Sequence, residues 1–325
     1  MKTEPPAPTA FIFKLQGFTE SLLTRRLKRR LKEKMKQQRR NVIVDWLFAI
    51  LWAASVVLVI NQYFFQNYRI PSESMEKSLL IGDMIFVDKL SFGPELLPGV
   101  AKLTSPIKPQ RGQIIVFENP SYLSKGPVFT ILQQFVYMAT LTLVDIDLDE
   151  LGQPRVHYLI KRAVAVGGDT VRVADGELSF RFQGDDEWIA ERDFQKLSGF
   201  AYPLRRMVAA DEYPAIHEAG RSLAELDMGL IEAAPALRYS PYDERALLAS
   251  RYAELSAAYP HDQRFVSEDR KERSGWYIPE DRIFTLGDNR DNSKDARWFG
   301  AVSLDKVLGH ALFKYWPLGR VGGIR

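Results

Sequence analysis

From residue 42 to residue 65 the chain reads VIVDWLFAILWAASVVLVINQYFF, which is apolar on every helical face. A helix of that length is about 36 Å long, enough to cross a hydrocarbon core of about 30 Å. Asp45 is its only charge and lies near one end. Trp46 and Tyr63 stand toward the two edges, where interfacial aromatics gather. The stretch is too long for the apolar part of a cleaved signal sequence and lacks a small-x-small exit. It predicts a transmembrane anchor, the competing reading being a buried helix of a soluble domain.

Beyond the anchor the pattern changes to short β-branched and aromatic runs. MIFVDKL (84–90), QIIVFE (113–118), HYLIKRAVAV (157–166), DTVRV (169–173), ELSFRF (177–182), RIFTL (282–286) and HALFKYW (310–316) predict strands. Gly82-Asp83, Arg111-Gly112, Gly167-Gly168-Asp169 and Asp175-Gly176 supply turns between them. The expected fold is mainly β, antiparallel and barrel-like, with an N-terminal transmembrane helix and an inserted helical segment.

Two segments interrupt the strand pattern. Residues 127–144 are apolar but too short and too polar for a second span. Two readings fit them: a segment dipping into the outer leaflet beside the anchor, or a helix or hairpin packed on the sheet. Residues 193–262 are rich in Ala, Leu and charge and predict two or three surface helices. The domains expected are a basic segment (1–41), the anchor (42–65) and an outer domain (66–325) with insertions at about 120–155 and 193–275.

Composition changes the picture little: 46% hydrophobic and 26% charged residues are ordinary for a globular chain. Charge distribution changes it more. Residues 1–41 hold 12 Lys or Arg against three Glu, whereas the whole chain is only +3, so the remainder is net acidic. A nucleic-acid-binding body is therefore not expected. Ten of the basic residues fall in 25–41, directly before the anchor. Short basic flanks stay on the cytoplasmic side, so the amino terminus is expected inside and residues 66–325 outside. Leu23, Leu27, Leu31 and Met35 recur every fourth residue in this run. A basic amphipathic helix on anionic lipid fits, as does a solvated helix that only sets topology. There is no cysteine, which excludes disulfides, thiol catalysis and thiolate-bound zinc. His157, His217, His261 and His310 lack the spacing of a helical metal site, so no metal is expected.

Three stretches carry candidate chemistry. In Ile70-Pro71-Ser72-Glu73-Ser74-Met75, proline biases the chain away from helix and puts both serines on an extended turn. A backbone N–H and a second hydroxyl there can address one developing oxyanion, although Ser-x-Ser after proline also fits a plain turn. In HYLIKRAVAV, strand alternation puts Lys161 with Leu159, Ala163 and Ala165, and Arg162 with Tyr158, Ile160 and Val164. Burial on an apolar face lowers a lysine's pKa toward that of a working base; a strand-end lysine snorkelling to solvent is the alternative. The third stretch, Gly287 to Arg297, reads GDNRDNSKDAR. Its turn formers and alternating charges fit a rigid ion-paired loop or a charged hairpin connection. A cation site is disfavoured because the arginines neutralise it.

Together these stretches resemble bacterial signal peptidase I, the leader peptidase family. The matching residues are Pro71 to Met75, Arg111 to Phe117, Ile160 to Val164 and Gly287 to Arg297, in the family's order and after a membrane anchor. The resemblance covers roughly 42–118, 155–182 and 276–317. It implies that Ser74 is the acylating serine, Lys161 its general base, Ser72 an oxyanion donor and Ser293 the residue that orients the lysine. It further implies that Gly287, Asp288, Arg290, Asp295 and Arg297 form a bracing loop. Ile70, Met75, Leu79 and Ile160 would line shallow pockets for small side chains. The implied reaction is removal of signal peptides from exported preproteins after small-x-small residues, at a bilayer and without a cofactor. This sequence departs from the family pattern at Lys77-Ser78 (usually Pro-Thr), at Ala165 and Gly167 (Gly and Pro) and at Ala296 (Ser).

Two other readings compete. Ser74-Met75-Glu76-Lys77 reads Ser-x-x-Lys, the opening of the penicillin-binding signature, but no Lys-Thr-Gly accompanies it. An inactive, membrane-tethered binding protein is the second. A Ser-His-Asp protease is disfavoured, since no Gly-x-Ser-x-Gly elbow surrounds Ser74.

Overall fold

Two helices open the chain: α1 (Ala7–Gln38), carrying the basic run, and α2 (Val42–Tyr63), carrying the apolar one. The computed structural model describes residues 7–38, 42–97, 101–103, 105, 107–139, 145–199, 201–233 and 243–324. The chain divides into two compact units, Met1–Leu58 and Val59–Arg325. By length and composition α2 can cross a membrane. Trp46, Phe48, Leu51, Trp52 and Val57 on it are all exposed, the reverse of a buried core helix.

In the second unit the strand-patterned runs are strands, with small shifts at their ends. Along the chain they are β1 (Phe65–Arg69), β2 (Met84–Asp88), β3 (Glu95–Leu97), β4 (Ala101–Lys102), β5 (Ile114–Glu118), β6 (Tyr158–Val166), β7 (Thr170–Ala174), β8 (Glu177–Arg181), β9 (Ile189–Ala190), β10 (Trp276–Tyr277), β11 (Arg282–Leu286), β12 (Val302–Ser303), β13 (Val307–Trp316) and β14 (Gly322–Gly323). The main sheet runs β1-β2-β13-β5-β6-β11-β12, with β14 against β13, and all its pairings are antiparallel. It is curled. In a flat sheet with strands about 4.8 Å apart, β1 and β6 would be separated by about 19 Å. The rings of Tyr68 on β1 and Tyr158 on β6 instead meet edge to face, with centroids 6.0 Å apart.

Both faces of the central strand β5 are buried, which its unbroken apolar run IIVF anticipates. Ile114 and Val116 pack with Ile70, Met75, Leu79 and Ile85, whereas Ile115 and Phe117 pack with Phe92, Ala163 and Ile283. Strand β6 follows the expected alternation only in part. Leu159 and Ala163 share one cluster, and Tyr158 and Ile160 another, but Ala165 joins Val164 in a third. The cause is a β-bulge, at which Phe284 and Thr285 of β11 face Ala165 and Ala163.

A smaller sheet, β10-β7-β8-β9, flanks the main one. Its β7–β8 hairpin turns at Asp175-Gly176, whose φ values of 50° and 66° match the left-handed pair of a two-residue hairpin loop. The helical insertion contains α3 (Pro127–Ala139), α4 (Glu191–Ser198), α5 (Tyr213–Asp227), α6 (Glu244–Ala258) and α7 (Gln263–Ser274) in two blocks, the first being α3 alone. Ile216 and Ala219 of α5 pack on Ala246 and Leu247 of α6. Of the ambiguous apolar segment, 127–139 is helical and 140–144 lies outside the described residues, as do 234–242 of the larger insertion. Val128, Ile131 and Leu132 remain exposed.

Candidate active site

Ser74 lies in one turn of 3-10 helix, Glu73–Met75, entered from Ser72 in extended conformation (φ −137°, ψ 165°). Two facts hold this turn. Before it, Ile70 exchanges backbone hydrogen bonds with the 82–83 turn, at 2.8 Å to Asp83 O and 2.9 Å from the Gly82 N–H. After it, Met75 and Leu79 are fully buried beneath the sheet. The turn's apolar residues therefore point down and its serines up. The Ser74 N–H, in the first turn, has no acceptor within the helix. The hydroxyls of Ser72 and Ser74 are 3.3 Å apart.

Lys161 reaches this turn from β6. Its Nζ donates to Ser74 Oγ at 2.7 Å and to Ile160 O at 3.0 Å. The side chain is only 4% exposed. Burial pushes its pKa down to about 8, against the attraction of Asp295 and Asp288 and with help from Arg297. Ser74 and Lys161 are 87 positions apart in sequence. The curl of the sheet brings them together.

The Gly287–Arg297 stretch packs behind both residues. The Asn289 N–H donates to Ser74 O at 3.1 Å. Gly287 approaches so closely that a β-carbon there would lie 2.4 Å from Ser74 O and 2.3 Å from Ser293 Oγ. Ser293 Oγ is buried, makes no hydrogen bond to Lys161 and lies against the Asp295 carboxylate, whose charged form its hydroxyl favours. Lys161 spends its bonds on Ser74 and the Ile160 carbonyl instead. Asp295 caps the short helix α8 (Ala296–Phe299) and accepts from the Gly287 N–H at 3.0 Å and from Arg297 Nε at 2.9 Å. Burial alone would raise the Asp295 carboxyl's pKa, but Arg297 and the Gly287 N–H outweigh it and hold the group below its ordinary value.

Three of the loop's six charged residues, Asp288, Arg290 and Asp291, pair outward with other parts of the chain. Asp288 takes a two-pronged hydrogen bond from Arg162, at 2.7 Å on each oxygen, and both partners are wholly buried. Arg290 forms a similar pair with Glu191 at 2.7 and 2.8 Å. Asp295–Arg297 is the pair closed within the loop. The Ser78 hydroxyl donates to Asp288 and accepts from Arg162, so serine supplies a hydroxyl where the resemblance expects threonine. Lys77 before it has φ 91°, which proline, fixed near −65°, cannot adopt. Ala296 is wholly buried among apolar residues.

A cleft of about 740 Å³ opens at Ser74 and Lys161. Ile70, Met75 and Ile160 line it near Ser74, and Glu95, Gln133, Asp145 and His157 line it further away. Leu79, expected in the same role, is 0% exposed and not among the lining residues, because it packs inward with the turn. Among the described residues no group of three or more His, Asp or Glu could hold a metal ion.

The structure thus brings Ser72, Ser74, Lys161, Ile70, Met75, Ile160 and the loop residues to one place. Sequence reading missed Glu191 and Arg162 as the partners of Arg290 and Asp288, and it missed Tyr202, whose ring lies 4.5 Å from the Arg162 guanidinium. Arg162 stood beside Lys161 in the motif. A fixed cation next to loop acids was the available signal. Glu191 offered none, being one acid in an acid-rich stretch.

Comparison with known proteins gives the family. The family described as signal peptidase, peptidase S26, matches residues 43–316. The signal peptidase I of Haemophilus influenzae is 24% identical over 85% of this chain and 72% of its own length. That of Helicobacter pylori is 25% identical over 82% of this chain and 81% of its own length. That of Aquifex aeolicus is 29% identical over 85% and 84%. An antiparallel sheet that carries a buried lysine to a serine turn, and a family match spanning both, lead to one conclusion: the chain belongs to the signal peptidase family, peptidase S26.

Proposed function

We propose that this chain is a membrane-held serine endopeptidase that removes signal peptides from exported preproteins, with Ser74 as nucleophile and Lys161 as general base. Family membership supports the reaction, and the 2.7 Å contact between Lys161 Nζ and Ser74 Oγ is the observation that carries the dyad. The neutral amine accepts the Ser74 proton as Oγ attacks the scissile carbonyl. The Ser74 N–H and the Ser72 hydroxyl stabilise the tetrahedral oxyanion. The lysine then protonates the leaving amine and activates the deacylating water. Ser293 shapes the lysine's surroundings through Gly287 and Asp295 rather than by a direct hydrogen bond.

Substrate binding follows from strand edges. Strand β1 pairs with β2 alone among the described residues, and residues 158–161 of β6 extend beyond the part paired with β11. Both stretches line the cleft, so an extended peptide can add between them with alternate side chains in the pockets. The small apolar pocket of Ile70, Met75 and Ile160 favours small residues before the cut. The basic amino terminus lies on the cytoplasmic side, and the catalytic unit lies outside, a few residues beyond the span.

Incubation of the purified full chain in detergent with a preprotein, followed by sequencing of the new amino terminus, tests this. A cut after a small residue at the end of the signal sequence is expected, and Ser74→Ala and Lys161→Ala should each abolish it. Appreciable turnover by Lys161→Ala excludes the dyad. A Lys77→Ala variant should retain activity, which separates this reading from the Ser-x-x-Lys one.

A further inference from the structure

Residues 201–208 lead from α4 into the rest of the helical insertion and contain no motif residue. Consecutive positions in this stretch nevertheless grip the loop that supports Ser74. The Arg205 N–H donates to Asp288 O at 2.8 Å, and the Arg290 N–H donates to Arg205 O at 3.0 Å, forming a parallel bridge between Arg205 and Asn289. Arg206 Nε donates to the two Asp291 oxygens at 3.0 and 3.1 Å. Asp291 Oδ2 also accepts from the backbone N–H groups of Met207 and Val208, the latter at 3.0 Å. On its other side the Arg205 guanidinium pairs with the Glu76 carboxylate, in the turn that bears Ser74.

We propose that residues 201–208 are a strap, supplied by the insertion, that positions Ser74 against Lys161 by clamping residues 288–291 and, through Arg205, the nucleophile turn itself. This rests on the Ser74–Lys161 reading. The chain of contacts is short. Arg205 bridges Asn289, Asn289 donates to Ser74 O, and Arg205 returns to Glu76. Lys161 is fixed separately, by the β5–β6 pairing at Ile115. The strap therefore constrains one partner of the dyad while the sheet constrains the other. A displacement of about an ångström at a reacting group costs about a hundredfold in rate. Arg205 is therefore a positioning residue, as are Arg206 and Asp291.

The test uses full-length protein in detergent with a preprotein substrate. The Arg205 and Glu76 side chains are 31% and 29% exposed, so removing them opens no core cavity. Arg205→Ala and Glu76→Gln should each lower kcat about tenfold or more with KM nearly unchanged. The double variant should be no worse than the worse single, because both break one contact, and Arg205→Lys should recover much of the loss. Asp291→Ala should also shift the acid limb of the pH–rate profile to higher pH. The groups facing Lys161 are the Ser74 hydroxyl, its own strand's Ile160 carbonyl, and Asp288, Asp295 and Arg297 on the loop; a loosened loop admits water and raises the lysine's pKa. Folded Arg205→Ala and Glu76→Gln proteins with wild-type kcat overturn the strap, whether or not Asp291→Ala folds. Turnover by Ser74→Ala with the strap intact would instead overturn the dyad reading.

Discussion

With a pKa of about 8, Lys161 is neutral in about a tenth of molecules at pH 7 and in half of them one unit higher. In the proposed mechanism the base is the neutral form, so kcat/KM should rise with pH and level off above about 8, with a single ionisation on the acid limb. The same depression has an opposite effect on stability. Below pH 8 the lysine is charged in both the folded and unfolded states, and the folded protein bears the full cost of burying it. Between about 8 and 10.5 the unfolded chain binds the extra proton, so stability rises with pH across that window. Lys161→Met should therefore abolish turnover and yet stabilise the protein at pH 7, by up to about 3 kcal/mol. The advantage should shrink as pH approaches 10.5. Denaturant unfolding at pH 7 and pH 10 measures it, and a methionine variant less stable than wild type at pH 7 contradicts the assignment of burial as the main cause.

Elements matter here chiefly through what they carry to the loop. Helix α4 begins with Glu191, which is 3% exposed and meets an Arg290 that is 1% exposed. Glu191 also accepts from the Tyr202 hydroxyl at 2.5 Å. Glu191→Ala leaves a guanidinium buried without its carboxylate and should destabilise the protein by about 3–5 kcal/mol. On the same helix Lys196 and Asp193 form a pair that is 77% and 61% exposed, so Lys196→Ala should cost about 0–1 kcal/mol. Chemical denaturation of both variants compares the two directly. This contrast also marks what could be read from sequence. The β-strand runs were legible because alternation and turn residues are local, and so were Ser74, Lys161 and the GDNRDNSKDAR loop as chemical types. The loop's partners were not legible. Arg290 pairs with a residue 99 positions away and Asp288 with one 126 positions away, and neither spacing leaves a periodic trace. The β6 bulge was hidden for the same reason, since it depends on how β11 lies alongside.

On the scale of the whole chain, charge asymmetry and the apolar helix together are the basis of the proposed topology. Twelve basic residues precede the span and the remainder is net acidic. Short basic flanks resist translocation, whereas acidic residues contribute little, so the proposed orientation puts the basic end inside. A signal peptidase oriented this way acts on the side where exported chains emerge. The absence of cysteine makes the orientation directly measurable, because any introduced thiol is unique. Lys28 on α1 and Glu187, between β8 and β9, are both exposed, so a cysteine at either disturbs no core. In intact spheroplasts a membrane-impermeant maleimide should label Glu187→Cys and not Lys28→Cys. After lysis both should react, which excludes local protection of position 28 as the cause. Labelling of Lys28→Cys before lysis would reverse the topology, and with it the reason for an active site a few residues beyond the span.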